Sequence, residues 1–340
     1  MSLMAKLKKN SKIKLTSQMD KSEFFQEKEV VKTDVPMINV ALTGSLDGGI
    51  TSGLTVLAGP SKHFKTSFAL KMAAAYLNAK PDAVMVFYDS EFGSPQSYFD
   101  TFGIDTSRVL HVPITNVEEL KFDLVGQLES MEKEDDVIVV IDSIGNLASK
   151  KELEDALDEK SVADMSRAKA LKGLFRMTTP YLAMKNIPLL AINHTYKEIG
   201  LFPKDVVGGG TGIYYSANNI WIIGRRQNKT GTEVTGYDFV IKVEKSRYVK
   251  EQSKIPISVS WEGGIDEMSG LLDVAMSGEY VFKPSNGWYS KAGEEKKYRL
   301  KELNSEFWAD ILENPEFQDY VRKVFQIGSE VVDLGIELEE

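Results

Sequence analysis

The chain has 340 residues, of which 42% are hydrophobic and 27% charged, and its formal net charge is −9. That balance belongs to a globular protein with a sizeable core and excludes a uniformly basic nucleic-acid coat, while the lack of any apolar run near 18 residues excludes a membrane-spanning helix. Zero cysteines exclude disulfides and thiolate metal sites, and three histidines, His63, His111 and His194, are too few for a histidine-rich metal centre.

The N-terminus carries lysines but no apolar signal core, so the protein is expected to stay in a reducing cytoplasm. Lys6, Lys8, Lys9, Lys12 and Lys14 precede the first acid, Asp20, whereas Glu330, Asp333, Glu337, Glu339 and Glu340 follow the last base, Lys323. Charged ends are ordinarily just solvated. The sharper reading is a basic arm that docks on a neighbour and an acidic tail that competes with nucleic acid for a basic groove. Residues 1–36 read as a separate arm, with a basic amphipathic helix over 4–13 and a short extended piece at Val30-Val31 that Pro36 ends.

An apolar run, 54–58, then leads into Gly59-Pro60-Ser61-Lys62-His63-Phe64-Lys65-Thr66-Ser67 and a helical pattern over 68–77. A strand, a turn ending in Lys-Thr and a helix form a phosphate-binding loop. Its backbone N–H groups and the helix N-terminus favour an anion at one spot. Lys65 is expected to reach the β- and γ-phosphates and Thr66 to hold Mg²⁺. The alternative is an ordinary strand-to-helix turn with Lys65 solvated. Phe64 stands where the usual pattern has a second glycine.

Beyond the loop, short β-rich runs at 84–88, 109–112, 137–141 and 189–192 alternate with helical patterns near 97–102, 117–131 and 163–185. Such alternation predicts an α/β fold with a largely parallel sheet, whose ligands bind beyond the carboxyl ends of the strands. Runs at 220–223, 237–245 and 255–261 read as strands without helices between them. From Asp266 a small mixed unit follows, with a turn at Ser285-Asn286-Gly287 and helices near 307–312 and 317–325. The expected domains are 1–36, 37–265 and 266–340.

Three strand ends carry candidate chemistry. Asp142 closes the run 137–141 and suits Mg²⁺ opposite Thr66. Glu91 follows the run 84–88 and is the candidate general base for an attacking water, with Asp89 as its rival in the same segment. Asn193 or His194, after the run 189–192, is placed to report a γ-phosphate to the segment that follows. That segment, 195–212, reads as long and irregular, with Lys197, Phe202, Pro203, Lys204 and Gly208-Gly209-Gly210. Basic and aromatic residues on glycine hinges suit single-stranded nucleic acid; a flexible lid without that role is the alternative.

In order and content these motifs resemble the RecA family, and within it the recombinases of T-even-type phages. The resemblance runs over nearly the whole chain. It includes the Gly59–Ser67 loop, Tyr88-Asp89-Ser90-Glu91-Phe92-Gly93, Ile141-Asp142-Ser143-Ile144-Gly145-Asn146-Leu147, Ala191-Ile192-Asn193-His194-Thr195, Val243-Glu244-Lys245-Ser246-Arg247 and Asn286-Gly287-Trp288-Tyr289. Phe64 itself is similar to the phage branch.

The resemblance implies a RecA-type P-loop ATPase core with an N-terminal helix-and-strand arm and a small α+β C-terminal domain. It implies a DNA-dependent ATPase, using ATP and Mg²⁺, that forms helical filaments on single-stranded DNA and pairs it with homologous duplex in recombination, repair and replication. A loading mediator and a single-strand-binding protein are implied partners, and the host-cell cytoplasm the implied location. By resemblance Glu91 is the base, His194 the γ-phosphate sensor and Tyr98 the residue that stacks on adenine. Lys245 and Arg247 match cations that reach a neighbour's ATP, Lys169 and Arg176 match DNA-facing positions, and 151–163 and 195–212 match two DNA loops. Tyr214 stands where the family has a lysine touching the adjacent subunit, so signalling between subunits falls to Lys245 and Arg247. A ring helicase on the same core, or a DNA-binding mediator without hydrolysis, are the competing readings.

Overall fold

The computed structural model describes residues 2–22, 29–158, 165–198, 200, 203–230 and 233–328. Phe202, part of the first expected DNA loop and the acidic end from Glu330 lie outside them.

The N-terminal helix α1 (Leu3–Asn10) is capped by the Ser2 side chain and buries none of its residues. Val31 pairs with Ile50 in a single antiparallel bridge. Pro36 does not merely end an extended piece: it opens α2 (Pro36–Thr43), in which every residue is buried. Proline suits the first helical position because its φ is already helical and the N–H it lacks would have no partner there.

The core follows as β1 (Gly53–Ala58), α3 (Lys65–Ala79), β2 (Val84–Asp89), α4 (Gln96–Thr101), β3 (Val109–Pro113), α5 (Val117–Ser130) and β4 (Val137–Asp142). Next come α6 (Lys150–Leu157), α7 (Ser166–Met184), β5 (Pro188–Asn193), β6 (Thr195–Lys197), β7 (Asp205–Val207) and α8 (Thr211–Ser216). The sheet is completed by β8 (Ala217–Thr230), β9 (Glu233–Ser246), β10 (Lys254–Ser260) and β11 (Gly264–Ile265). Its order is β11-β10-β9-β8-β1-β5-β4-β2-β3. The strands from β8 to β3 run parallel and the β8 to β11 edge is antiparallel. The strands β1 to β5 and β10 are therefore present within a residue or two of their expected bounds, whereas β8 runs seven residues past the expected 220–223 and β9 starts four residues before the expected 237–245.

Two stretches differ from expectation. The segment 195–212 is not irregular throughout: β6 and β7 pair as an antiparallel hairpin, Thr195 opposite Val207 and Tyr196 opposite Val206, and α8 starts at Thr211. The β-branched pair explains the hairpin. Within 151–163, the described part is α6, started by a capping box in which Ser149 accepts from Glu152 N and Glu152 from Ser149 N.

One apolar layer lies between the sheet and α2 and α3, the other between the sheet and α5 and α7. The first layer continues into the C-terminal unit, formed by α9 (Leu271–Ser277), β12 (Val281–Ser285), β13 (Trp288–Lys291), β14 (Tyr298–Arg299), α10 (Ser305–Glu313) and α11 (Pro315–Phe325). Met37, Trp221, Leu271 and Trp308 share that layer. Arg322 of α11 ties the unit to the core through Asp47, at 2.9 Å. Among the described residues no helix is long and apolar enough to cross a membrane.

Candidate active site and its link to the glycine hinge

Strand register assembles the site. Ala58 pairs with Asn193, and Asp89 with Asp142, so the carboxyl ends of four parallel strands open on one side of the sheet. A cleft of about 500 Å³ lies there, lined by Ser61 to Ser67, Glu91, Tyr98, Asp142 and His194. Gly59 and Pro60 lead the loop into it; a Cβ on Gly59 would stand 2.9 Å from Ile223 O, which explains the glycine.

Phe64 adopts the left-handed backbone, φ +60°, that a glycine normally supplies. Its ring compensates. It stacks on Phe239 at 5.0 Å between centroids and meets Phe68 edge-on at 5.6 Å. Neither a side-chain cap nor an acid occupies the start of α3, so its first N–H groups are left for an anion. Lys65 Nζ donates to Pro60 O at 2.7 Å, folded back over its own loop. Burial lowers its pKa, while Asp142 and Glu91 oppose that.

Thr66 Oγ1 donates to Asp142 Oδ2 at 2.7 Å. Burial is the main force pushing the Asp142 carboxyl up to about 6; the Thr66 bond opposes it, and Glu91 and Asp89 add to it. A half-buried hydroxyl donating to a buried carboxylate, beside an ammonium, is the donor set that a Mg²⁺-bound triphosphate needs, since the phosphates provide the remaining oxygens. The residues present therefore fit ATP and Mg²⁺.

Of the two rival carboxylates, Asp89 is spent on structure. Its Oδ1 accepts from Glu91 N at 3.0 Å and Phe92 N at 2.8 Å, and its Oδ2 lies 3.1 Å from His111 Nε2. Glu91 faces the cleft. Its Oε1 accepts from Ser143 Oγ at 2.8 Å and Asn146 Nδ2 at 2.9 Å, and lies 3.5 Å from His194 Nε2. The Tyr98 hydroxyl bonds that of Ser67 and its ring meets Phe102 edge-on, so one flank of the cleft is aromatic. Arg225, Tyr237 and Trp261 line it too and were missed from sequence. Arg225 donates to Lys62 O and stacks over Tyr237 at 4.6 Å. Trp261 closes a strand-like run, a usable signal, but only the sheet order puts β8 to β10 beside the loop.

The strand end at β5 reaches the glycine hinge directly. Asn193 Nδ2 donates to Gly208 O at 2.7 Å, and Gly208 N donates to His194 O at 3.0 Å. Gly209, at φ +91°, packs so close that a Cβ would lie 2.8 Å from Ile213 and 2.9 Å from Leu171 of α7. Gly210 is the N-cap of α8. Lys169 and Arg176 are exposed on α7, with Lys172, which sequence reasoning passed over, exposed between them. Lys197 pairs with Asp205 across the hairpin at 3.1 Å, and Lys204 is exposed.

Lys245 and Arg247 lie away from this cleft. Lys245 is level with Ile220, and Arg247 N donates to Asn218 O, whereas the phosphate loop leaves β1 level with Ile222. Both therefore sit two or more residues back along the strands from the level of the loop, and neither lines the cleft. Lys245 Nζ donates to Tyr214 O and Ala217 O, and burial lowers its pKa; Arg247 is the exposed member.

A phosphate loop between β1 and α3, with carboxylates at neighbouring ends of a mostly parallel sheet, defines the class as a P-loop α/β protein. Comparison with known proteins narrows it. The model of the RecA N-terminal domain matches residues 4–266, and that of the bacteriophage T4 recombination and repair protein (UvsX), C-terminal domain, matches 268–321. The recombination and repair protein of Enterobacteria phage T4 is 49% identical over 98% of this chain and 90% of its own length. Protein RecA of Leptospira meyeri is 26% identical over 89% of this chain and 76% of its own, and that of Thermus aquaticus 26% over 87% of each. The chain belongs to the RecA family.

Proposed function

We propose that this protein is a DNA-dependent ATPase that forms helical filaments on single-stranded DNA and pairs that strand with a homologous duplex. The observation that carries the reading is the direct hydrogen bonding of the strand end at Asn193-His194 to Gly208. It joins the cleft fitted to a nucleotide to the hinge flanked by exposed cations. The family membership and the similarity to a phage recombination and repair protein support the same reading.

In this reading Lys65 and the loop N–H groups hold the triphosphate, and Thr66 and Asp142 hold Mg²⁺. Glu91 takes the proton of the attacking water, and His194 reports the γ-phosphate to the hinge. Tyr98 and Trp261 flank the base. Arg247, assisted by Lys245, acts on the nucleotide of a neighbouring subunit; it is exposed and does not line its own cleft. Lys169, Arg176, Lys197, Lys204 and the Gly208-Gly209-Gly210 hinge track single-stranded DNA. The exposed α1 arm docks on the next subunit. A loading mediator and a single-strand-binding protein are the further partners such an activity calls for, in the host cytoplasm.

The test is ATP turnover with and without single-stranded DNA. Turnover is expected to rise with DNA, and Glu91→Ala to abolish it while ATP and DNA still bind. Turnover indifferent to DNA would reject the reading.

A further inference from the structure

Glu91 must present one particular oxygen to water, and the structure shows what fixes which one. An ionised carboxylate oxygen has two lone pairs. Those of Oε1 are both engaged, by Ser143 Oγ at 2.8 Å and Asn146 Nδ2 at 2.9 Å, and His194 Nε2 also approaches Oε1 rather than Oε2. Among the described residues Oε2 receives no hydrogen bond. Two donors on one oxygen set the plane of the carboxylate and leave the basic lone pairs on the other.

The donor at position 146 is itself held. Arg167, at the start of α7, donates to Leu147 O at 2.6 Å, Ile144 O at 2.9 Å and Gly145 O at 2.9 Å, clamping the loop that carries Asn146 from both sides. On the other flank the loop lies against His194 so closely that a Cβ on Gly145 would stand 2.3 Å from the ring. The backbone of Glu91 is fixed independently by Asp89 Oδ1. The bland alternative is a surface asparagine making an incidental bond. An incidental bond does not need its loop pinned by one guanidinium through three carbonyls, two before Asn146 and one after it.

We infer that Asn146 is a positioning residue for hydrolysis: held by Arg167, it occupies Oε1 of Glu91 so that Oε2 is the atom that takes the water's proton. The inference rests on Glu91 as the base. It also gives α7, the helix carrying Lys169 and Arg176, a direct mechanical route to that base through Arg167.

The experiment measures DNA-stimulated ATP turnover, KM for ATP, single-strand affinity and thermal midpoint for the parent, Asn146→Ala, Asn146→Asp, Glu91→Gln and the Asn146→Ala/Glu91→Gln pair. A misaimed base loses transition-state stabilisation alone, so kcat should fall about tenfold in Asn146→Ala and at least as far in Asn146→Asp, with KM, DNA affinity and midpoint unchanged. The paired variant should be no slower than Glu91→Gln alone, because the two residues act as one unit. Parent-like kcat in either single variant, or a loss expressed in KM, overturns the inference. If Glu91→Gln is inactive while Asn146→Ala is normal, only the positioning role fails. If Glu91→Gln keeps parental turnover, the base assignment fails and this inference with it.

Discussion

Phe64 shows two opposing effects at a single residue. A non-glycine side chain in the left-handed region costs roughly 1–2 kcal/mol. Its stacking on Phe239 and edge contact with Phe68 outweigh that, since each such pair adds about 0.5–1.5 kcal/mol beyond the burial of the ring. Phe64→Ala keeps the strain and loses the ring, whereas Phe64→Gly loses both. Denaturant titration is therefore expected to rank the parent first, Phe64→Gly about 1 kcal/mol below it and Phe64→Ala about 2–3 kcal/mol below. A glycine variant more stable than the parent would contradict this account. The backbone demand at position 64 was legible from the motif. The ring's partner, 175 positions along the chain, was not, because only the order β9-β8-β1 brings it there.

Asp142 carries a pH prediction. Its carboxyl titrates near 6 in the fold against 3.8 for the ordinary group, chiefly through burial. Asp142 therefore favours folding most below about pH 4, and that contribution is lost as pH rises through 6. By pH 8 the loss amounts to roughly 3 kcal/mol. Asp142→Asn lacks this titration, so without nucleotide its thermal midpoint should gain on the parent's between pH 5 and pH 8. A difference that stays flat over that range would show the carboxyl titrates normally.

At the scale of elements, the strands β1, β2, β4 and β5 were readable because a strand buried on both faces is a nearly unbroken apolar run, while the edge strand β3 was readable from its valines alone. The run 137–141 and the observed Val137–Asp142 differ by one residue. Elements whose signal is tertiary were not readable. The hairpin of β6 and β7 has three residues a side and lies among glycines and lysines, so its sequence resembles a loop. The helix α2 was hidden by Pro36, whose meaning reverses with position. The site was legible where a strand end carried the chemistry, as at Lys65, Thr66, Glu91, Asp142 and His194. It was not legible where a side chain works by holding another, as at Asn146 and Arg167.

The hinge gives the prediction at this scale. Gly209→Val adds a β-branched side chain at φ +91°, into Ile213 and Leu171. The contact between α7 and α8 must open, and the bond from Gly208 N to His194 O shifts with it. The cleft itself is untouched. ATP affinity should stay within about threefold of the parent while DNA-stimulated turnover falls at least about tenfold, as expected for a coupling defect. Loss of ATP binding in a folded variant would mean the hinge and the loop are not separable.

The large sheet carries its candidate chemistry at the carboxyl ends of its central strands, with two further cations at the end of β9. The phosphate loop leaves the central strand β1, whereas Arg247 is exposed just past β9 and outside the cleft, and Lys245 bonds Ala217 O. In the proposed function this exposed cation outside its own cleft completes the site of a neighbouring subunit, and repeated head-to-tail contacts generate open filaments or rings. Arg247→Ala should therefore bind ATP normally as an isolated subunit yet lose about 10³-fold in DNA-stimulated turnover, the order seen for arginines acting in trans. Mixing it with a Glu91→Gln partner should restore part of the activity, since each supplies what the other lacks. Turnover equal to the parent's at every protein concentration would remove the trans role.

The account as a whole stands on nucleotide chemistry and DNA pairing being joined in one chain. Joint-molecule formation tests that most directly: the protein, ATP and Mg²⁺ are mixed with a labelled single-stranded oligonucleotide and a supercoiled duplex, homologous or not. The predicted result is joints that need ATP and homology. Unwinding without homology-dependent joints would point to a helicase on the same core, and would contradict the central claim.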